Sequence, residues 1–281
     1  MPDYNLHQHS LFSDGAEVPE EYVKKAIELG FTSIGFTEHS PLPFDTPFSL
    51  KKEKVQEYIT VIEFLKEKYN SKLNIYRALE MDFINDKSDD FDFWAKQCKT
   101  DYLIGSIHLV STDDPDTLWF TDGPDIEIYD NGIKNLFGGD VKKAIKSFFH
   151  QSNQMIETQQ FDIIGHFDKI KMHNGDRFFS DNDKWYRDLL DETLELIKEK
   201  DLIVEINTRG IYKKRSKYLF PDTYALQRVK DLQLPIIISS DAHKPEEINA
   251  LFKTAVDQLL EIGFTEMMSF SNSHWHTIEL S

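Results

Sequence analysis

Cysteine is almost missing from this chain, with Cys98 the single one among 281 residues. No intrachain disulfide can form, and a reducing cytoplasm is the expected setting. Long apolar runs are missing too. The longest, such as LPIII at 234–238, fall far short of the roughly 20 residues a membrane span requires. The N-terminus has no basic stretch followed by an apolar one, so no leader is expected. Positive charge is scarce, with 32 basic against 49 acidic residues and a net charge of −17. That balance speaks against non-specific binding to nucleic acid or anionic membrane, and a cluster of bound divalent cations would offset part of it. Repeats, linkers and low-complexity tracts are absent, as is any serine or cysteine nucleophile motif. What remains is an ordinary globular composition, 40% hydrophobic with 21 Phe, long enough to bury a core and a deep pocket.

Short β-rich runs alternate with longer amphipathic stretches. Strands are expected at YNLHQH (4–9), SIGFTEH (33–39), LNIYRALEM (73–81), YLIGSIH (102–108), FDIIGHF (161–167), LIVEINT (202–208) and PIIISSDAH (235–243), with a weaker TEMMSFS at 265–271. Between them PEEYVKKAIELG, KEKVQEYITVIEFLKEKY, DVKKAIKSFFHQSNQMIETQ, DKWYRDLLDETLELIKEK and PDTYALQRVKDL carry apolar residues at helical spacing, and Gly30 reads as a helix C-cap. Seven or eight βα units in series predict an α/β fold with a parallel sheet closed into a TIM-like barrel, in one domain spanning 1–281. Residues 109–140 show little periodicity and many turn residues, so a long loop over the pocket is expected there.

In such a barrel the active site forms at the C-terminal ends of the strands. His7 and His9 end the first run, with Asp14 just beyond. Glu38 and His39 end the second, Glu80 and Asp82 the third, His108 the fourth, His166 and Asp168 the fifth, Asn207 and Arg209 the sixth, and Asp241 and His243 the seventh. Strand side chains alternate faces, so His7/His9, His166/Asp168 and Asp241/His243 are expected to converge. Taken singly, each histidine is more often a hydrogen-bonded core or rim residue. Taken together, imidazoles and carboxylates at the ends of seven strands, without cysteine, point to a polynuclear site for Zn²⁺, Mn²⁺ or Fe²⁺. His150 and His173 read as surface or packing residues, His274 and His276 as imitators of the opening pair, and Cys98 as packing.

In order and spacing, LHQHSLFSDG, GFTEHSPLPF, ALEMDF, GSIHLV, IIGHFDKI, EINTRG and SSDAHKPEEI resemble the polymerase and histidinol phosphatase family over nearly the whole chain. TEHSPLPF, EINTRG and SDAHKP are most similar to its stand-alone branch in histidine biosynthesis. The resemblance implies a distorted (β/α)7 barrel with three divalent ions. It implies that His7, His9, Glu80 and Asp241 hold one ion, Glu80, His108 and His166 a second, and Asp14, His39 and His243 a third. Many relatives carry a histidine where this chain has Asp14.

The implied reaction is hydrolysis of L-histidinol phosphate. Two ions roughly 3.5–4 Å apart deprotonate a water between them near neutral pH, which removes the need for a side-chain nucleophile. Asp241, with His243, both holds an ion and orients that hydroxide. Arg209 is the first choice for a phosphate clamp and Arg177 the second. Glu38, Asp82 and Asp168 are expected to orient imidazoles, and PLPF at 41–44 with the 109–140 segment to recognise the amino-imidazole leaving group. Two other outcomes stay open at this level: the same site acting on another phosphomonoester or nucleotide, and a non-catalytic metal module docked on a DNA polymerase. Against the second stands the lack of a polymerase region or basic surface.

Overall fold

The computed structural model describes residues 1–281. In chain order the elements run β1 (Tyr4–Asn5), α1 (Pro19–Glu28), β2 (Ser33–His39), α2 (Val55–Tyr69), β3 (Asn74–Asp82), α3 (Phe91–Cys98) and β4 (Tyr102–Ser106). The chain then leaves the barrel for β5 (Leu109–Ser111), β6 (Leu118–Phe120) and α4 (Ile126–Leu136). It returns with α5 (Val141–Thr158), β7 (Ile163–Ile164), α6 (Lys184–Glu199), β8 (Ile203–Asn207), the single turn α7 (Arg209–Tyr212), α8 (Thr223–Asp231), β9 (Ile236–Ser239) and α9 (Phe252–Ile262), and ends in β10 (Glu266–Ser271) and β11 (His274–Glu279).

The seven strands β1-β2-β3-β4-β7-β8-β9 pair in that order, all parallel. Helices cover their outer faces, so β2 is buried at every position, which is why these strands read as near-continuous apolar runs. The sheet nearly closes on itself. A parallel bridge joins Gln8 to Ala242, with His9 N donating to Ala242 O at 2.8 Å and Ala242 N to His7 O at 3.3 Å. One contiguous core of 68 buried residues fills the barrel and its helical coat. No helix is long and apolar enough to cross a membrane.

Local chemistry explains the helix boundaries. α1 starts on Pro19 with Glu20 and Glu21 in its first turn, where an absent N–H and negative charge both suit the helix start. It stops before Gly30, whose φ of +75° is the left-handed C-terminal position that glycine adopts without strain. Asp140 opens α5 by accepting from Lys143 N at 3.0 Å.

The architecture departs from the sequence reading in several places, among them α9, which that reading does not include, and β7, which is two residues long where 161–167 is expected. Regular pairing in the first strand is confined to Tyr4–Asn5, because Asn5 Nδ2 donates to His7 O at 2.9 Å and diverts the backbone that follows. The eighth β segment, β10, stays outside the barrel: it pairs with β11 and packs Phe270 and Trp275 against Tyr102, plugging the N-terminal end. The 109–140 segment is not a loop. It folds as the β5–β6 hairpin and α4, pinned by Trp119, which is buried beside Tyr129 and Phe137.

Candidate metal centre

The C-terminal rim gathers the expected ligands. His7 and His9 follow β1, His39 ends β2, Glu80 lies near the end of β3, His108 follows β4, His166 follows β7, and Asp241 and His243 follow β9. All but Asp14 and His243 are buried. The ligand atoms of His9, Asp14, His39 and His243 lie within 4.8 Å of one another, as do those of His7, His9 and Asp241, and those of His39, Glu80 and His108. Glu80 stands at the middle. Its Oε2 is 3.4 Å from Nε2 of both His7 and His9 and 3.2 Å from His39 Nδ1, while its Oε1 is 3.0 Å from His166 Nε2 and 3.5 Å from His108 Nε2. One carboxylate thus faces two sets of imidazoles with different oxygens, which is the geometry of a bridging ligand.

The donor atoms fit divalent cations on a physical test. Nε2 of His7, His9 and His108 and Nδ1 of His39 are buried without a hydrogen-bond partner, a condition costly to leave uncompensated. The opposite nitrogens are anchored: Asp82 Oδ1 lies 2.6 Å from His108 Nδ1, and Glu205 binds His7 Nδ1. Such anchoring fixes ring orientation and leaves the far nitrogen for a metal. Burial, reinforced by the nearby His39 and His243 rings, lowers the His9 pKa to about 3; burial acts the same way on His7 and His39, but the carboxylates facing them outweigh it and raise both, His39 to about 10. Burial opposes ionisation of Glu80, but the surrounding imidazoles of His108, His7 and His39 outweigh it and hold the carboxyl well below its usual range.

Residues 5–209 match the model of the PHP domain family. This chain belongs to the PHP domain family. It is 25% identical over 263 residues to a probable histidinol-phosphatase of Deinococcus radiodurans, with 93% of each chain covered. It is also 25% identical over 279 residues to the histidinol-phosphatase of Lactococcus lactis, covering 96% of this chain and 94% of that one. Among solved structures, a putative histidinol phosphatase from Listeria monocytogenes superposes with a TM-score of 0.77 at 23% identity, over 89% of this chain and 99% of its own. The Lactococcus lactis histidinol phosphate phosphatase, solved with zinc, L-histidinol and phosphate, gives a TM-score of 0.67 at 23% identity, over 97% and 98%. These likenesses show a shared PHP barrel.

Within that barrel the single residues fare differently. Asp82 contacts an imidazole, its Oδ1 2.6 Å from His108 Nδ1. Glu38 does not touch an imidazole: it accepts from Ser10 Oγ at 2.6 Å and from Ser13, bracing the loop that carries Asp14. Asp168 points away from His166 and accepts from Asp222 N at 2.9 Å. Arg209 lines the mouth, its guanidinium donating to Asp241 O at 2.7 Å. Arg177 does not line it. It forms a two-pronged pair with Asp130 of α4, both bonds 2.7 Å, on the outer surface. His150 lies exposed on α5, and His274 and His276 on the hairpin at the opposite end of the barrel.

Several groups escaped the sequence reading. Lys169 is buried against the cluster, its Nζ 2.8 Å from Asp122 Oδ1, 3.4 Å from His166 Nε2 and 3.7 Å from Asp241 Oδ2. Burial disfavours its charge, yet Asp122, Asp241 and Glu80 outweigh that and raise its pKa. Asp122, delivered by the turn after β6, is held ionised with a pKa of about 2. Arg215 shares the mouth with Arg209, and Phe48 and Phe120 stack there with centroids 5.6 Å apart. A lysine three residues past His166 and an arginine six past Arg209 follow no strand periodicity, so no pattern marks them.

Proposed function

We propose that this chain hydrolyses L-histidinol phosphate to L-histidinol and phosphate, acting as a single PHP domain with three divalent ions, and so serves histidine biosynthesis in the cytoplasm. The observation that carries the reading is a mouth beside the ligand cluster lined by two guanidiniums and two stacked aromatic rings. Arg209 and Arg215 line it together with Phe48 and Phe120, and Asp122 lies close enough to both guanidiniums to act on their charge. The guanidiniums suit a phosphoryl dianion and the aromatic rings an imidazole. The Lactococcus lactis relative, covered almost end to end, was solved with both halves of that substrate class, L-histidinol and phosphate.

His7, His9, Asp241 and Glu80 would hold one ion, Glu80, His108 and His166 a second, and Asp14, His39 and His243 a third. Bound there, ions of zinc, manganese or iron would supply Lewis acidity toward the phosphoryl oxygens and would lower the pKa of a coordinated water. The chain's own residues do the rest. Arg209, fixed by the Asp241 carbonyl, and Arg215, with no carboxylate partner, offer planar N–H forks to the non-bridging oxygens. Asp241 and His243 orient the attacking water. Phe48 and Phe120 flank the imidazole and exclude water.

The test is phosphate release from L-histidinol phosphate set beside sugar phosphates and nucleotides, with metal supplied and with metal removed. A kcat/KM at least about a hundredfold above the panel, abolished by chelation, is expected. A flat, metal-dependent profile refutes the substrate. No turnover by metal-loaded protein refutes the enzyme.

A further inference from the structure

The loops after β7 and β8 enclose a second cavity, about 450 Å³, beside the catalytic mouth. Lys171, Lys214, Arg215 and Lys217 line it against the single carboxylate of Asp176, in a chain whose net charge is −17. Two of these cations are spoken for. Lys171 is buried on Asp222, and Lys217 is 2.7 Å from Asp176. Lys214 and Arg215 form no ion pair. Arg215 also lines the catalytic mouth, where Arg209 is its neighbour in charge as well as in space. Arg215 has no carboxylate within ion-pair distance, although Asp122 and Asp241 act on it from farther off, and with Arg209 and a lysine-lined hollow beside it this region favours an entering anion.

We propose that this cavity is a second oxyanion site, separate from the metal centre, which takes a tetrahedral phosphate-type anion and shares Arg215 with the first. A guanidinium has five N–H donors in a planar fork, enough to serve an oxyanion along each of two edges. Lys214 and Lys217 supply mobile point charges at the open side, and Lys171 a fixed one at the floor. Inorganic phosphate and the phosphoryl group of a second substrate molecule present the same chemistry to these groups. The inference goes beyond hydrolysis and needs no turnover to be tested.

The experiment is calorimetric titration of the metal-loaded, desalted full chain with inorganic phosphate, comparing the native chain with K214Q/K217Q. Two phosphates per chain are expected for the native protein, with the second weakened at least about tenfold in the double variant and the first retained. Steady-state rates then separate the sources. Inhibition at high substrate that the double variant lacks assigns a second substrate molecule; inhibition by added phosphate that raising substrate does not relieve, and that the variant lacks, assigns the free ion. One phosphate per native chain, or two that ignore the substitution, overturns the second site and leaves the hydrolytic reading standing. No phosphate bound at all overturns both.

Discussion

Glu205→Gln isolates the anchoring of the metal-facing imidazoles without removing a ligand. Glu205 is fully buried on β8. One oxygen receives His7 Nδ1 and Ser239 Oγ, and the other receives His166 N at 2.8 Å and Asn207 Nδ2 at 3.2 Å. Four donors converge on one carboxylate, so an amide group conflicts with a donor whichever way it turns. If the new NH₂ faces the backbone N–H of His166, a buried donor goes unmet, at roughly 1–3 kcal/mol. If it faces His7, the ring must accept at Nδ1 and carry its proton on Nε2, the nitrogen meant for metal. Loss of such an anchor typically weakens metal affinity about 10–100-fold, equivalent to roughly 1.4–2.7 kcal/mol. The assay is metal affinity by competition with a chromophoric chelator, with the melting temperature of metal-free protein as the control for folding. Affinity within about threefold of the native chain would show that the His7 anchor does not set the metal site.

Other perturbations read other parts of the molecule. Chelation should lower the melting temperature as well as abolish phosphate release, because ions at 100–1,000 times their dissociation constant contribute about 3–4 kcal/mol; an unchanged melting curve refutes the metal centre. Lys169→Met leaves Asp122 and Asp241 without their buried cation and should cost about 3–5 kcal/mol by urea unfolding, part of it restored in K169M/D122N; strictly additive losses would mean that the pair is not coupled. Gly132→Ala places a Cβ 2.1 Å from the Trp119 ring, so α4 must shift off the hairpin at about 1–3 kcal/mol, visible as a change in tryptophan fluorescence; no change means α4 is not seated there. Cys98 is buried, and burial pushes its thiol up to about 11, so a thiol reagent at pH 7.5 should leave it unmodified until denaturant is added.

The barrel was legible because its strands are buried on both faces and end abruptly in polar ligands, a contrast that survives without any alignment. Where a strand stays regular, reasoning by alternation works. Asp82 is the last residue of β3, and its carboxylate reaches an imidazole, that of His108. Asp168 occupies the same offset after His166, but β7 ends at Ile164, so the residue sits in a turn where alternation has no force and its carboxylate points elsewhere. Arg177 failed for a related reason: a long side chain on an irregular loop can reach several partners, and Asp130 of α4 captured it. The hairpin was hidden because three-residue strands are too short to show a period. Lys169, Asp122 and Arg215 were invisible because their roles come from the way separate loops fold back over the rim.

The barrel is least well joined along one line, between its first strand and its last. Three backbone hydrogen bonds cross there, and β1 itself pairs with β2 at only two positions. The side chains that straddle this join, Asn5 to Ser240 and Asp14 to His243, come from positions 235 and 229 residues apart in the chain. Contacts so distant carry the largest loop-closure entropy, which places this join among the last parts to form during folding and the first to open by fluctuation. His7, His9 and Asp14 lie on one side of it, and Asp241 and His243 on the other. The ions that make the site reactive therefore also act as a clasp on the molecule's slowest-forming edge, and amide exchange at His9 and Ala242 should report metal release before any other part of the barrel loosens.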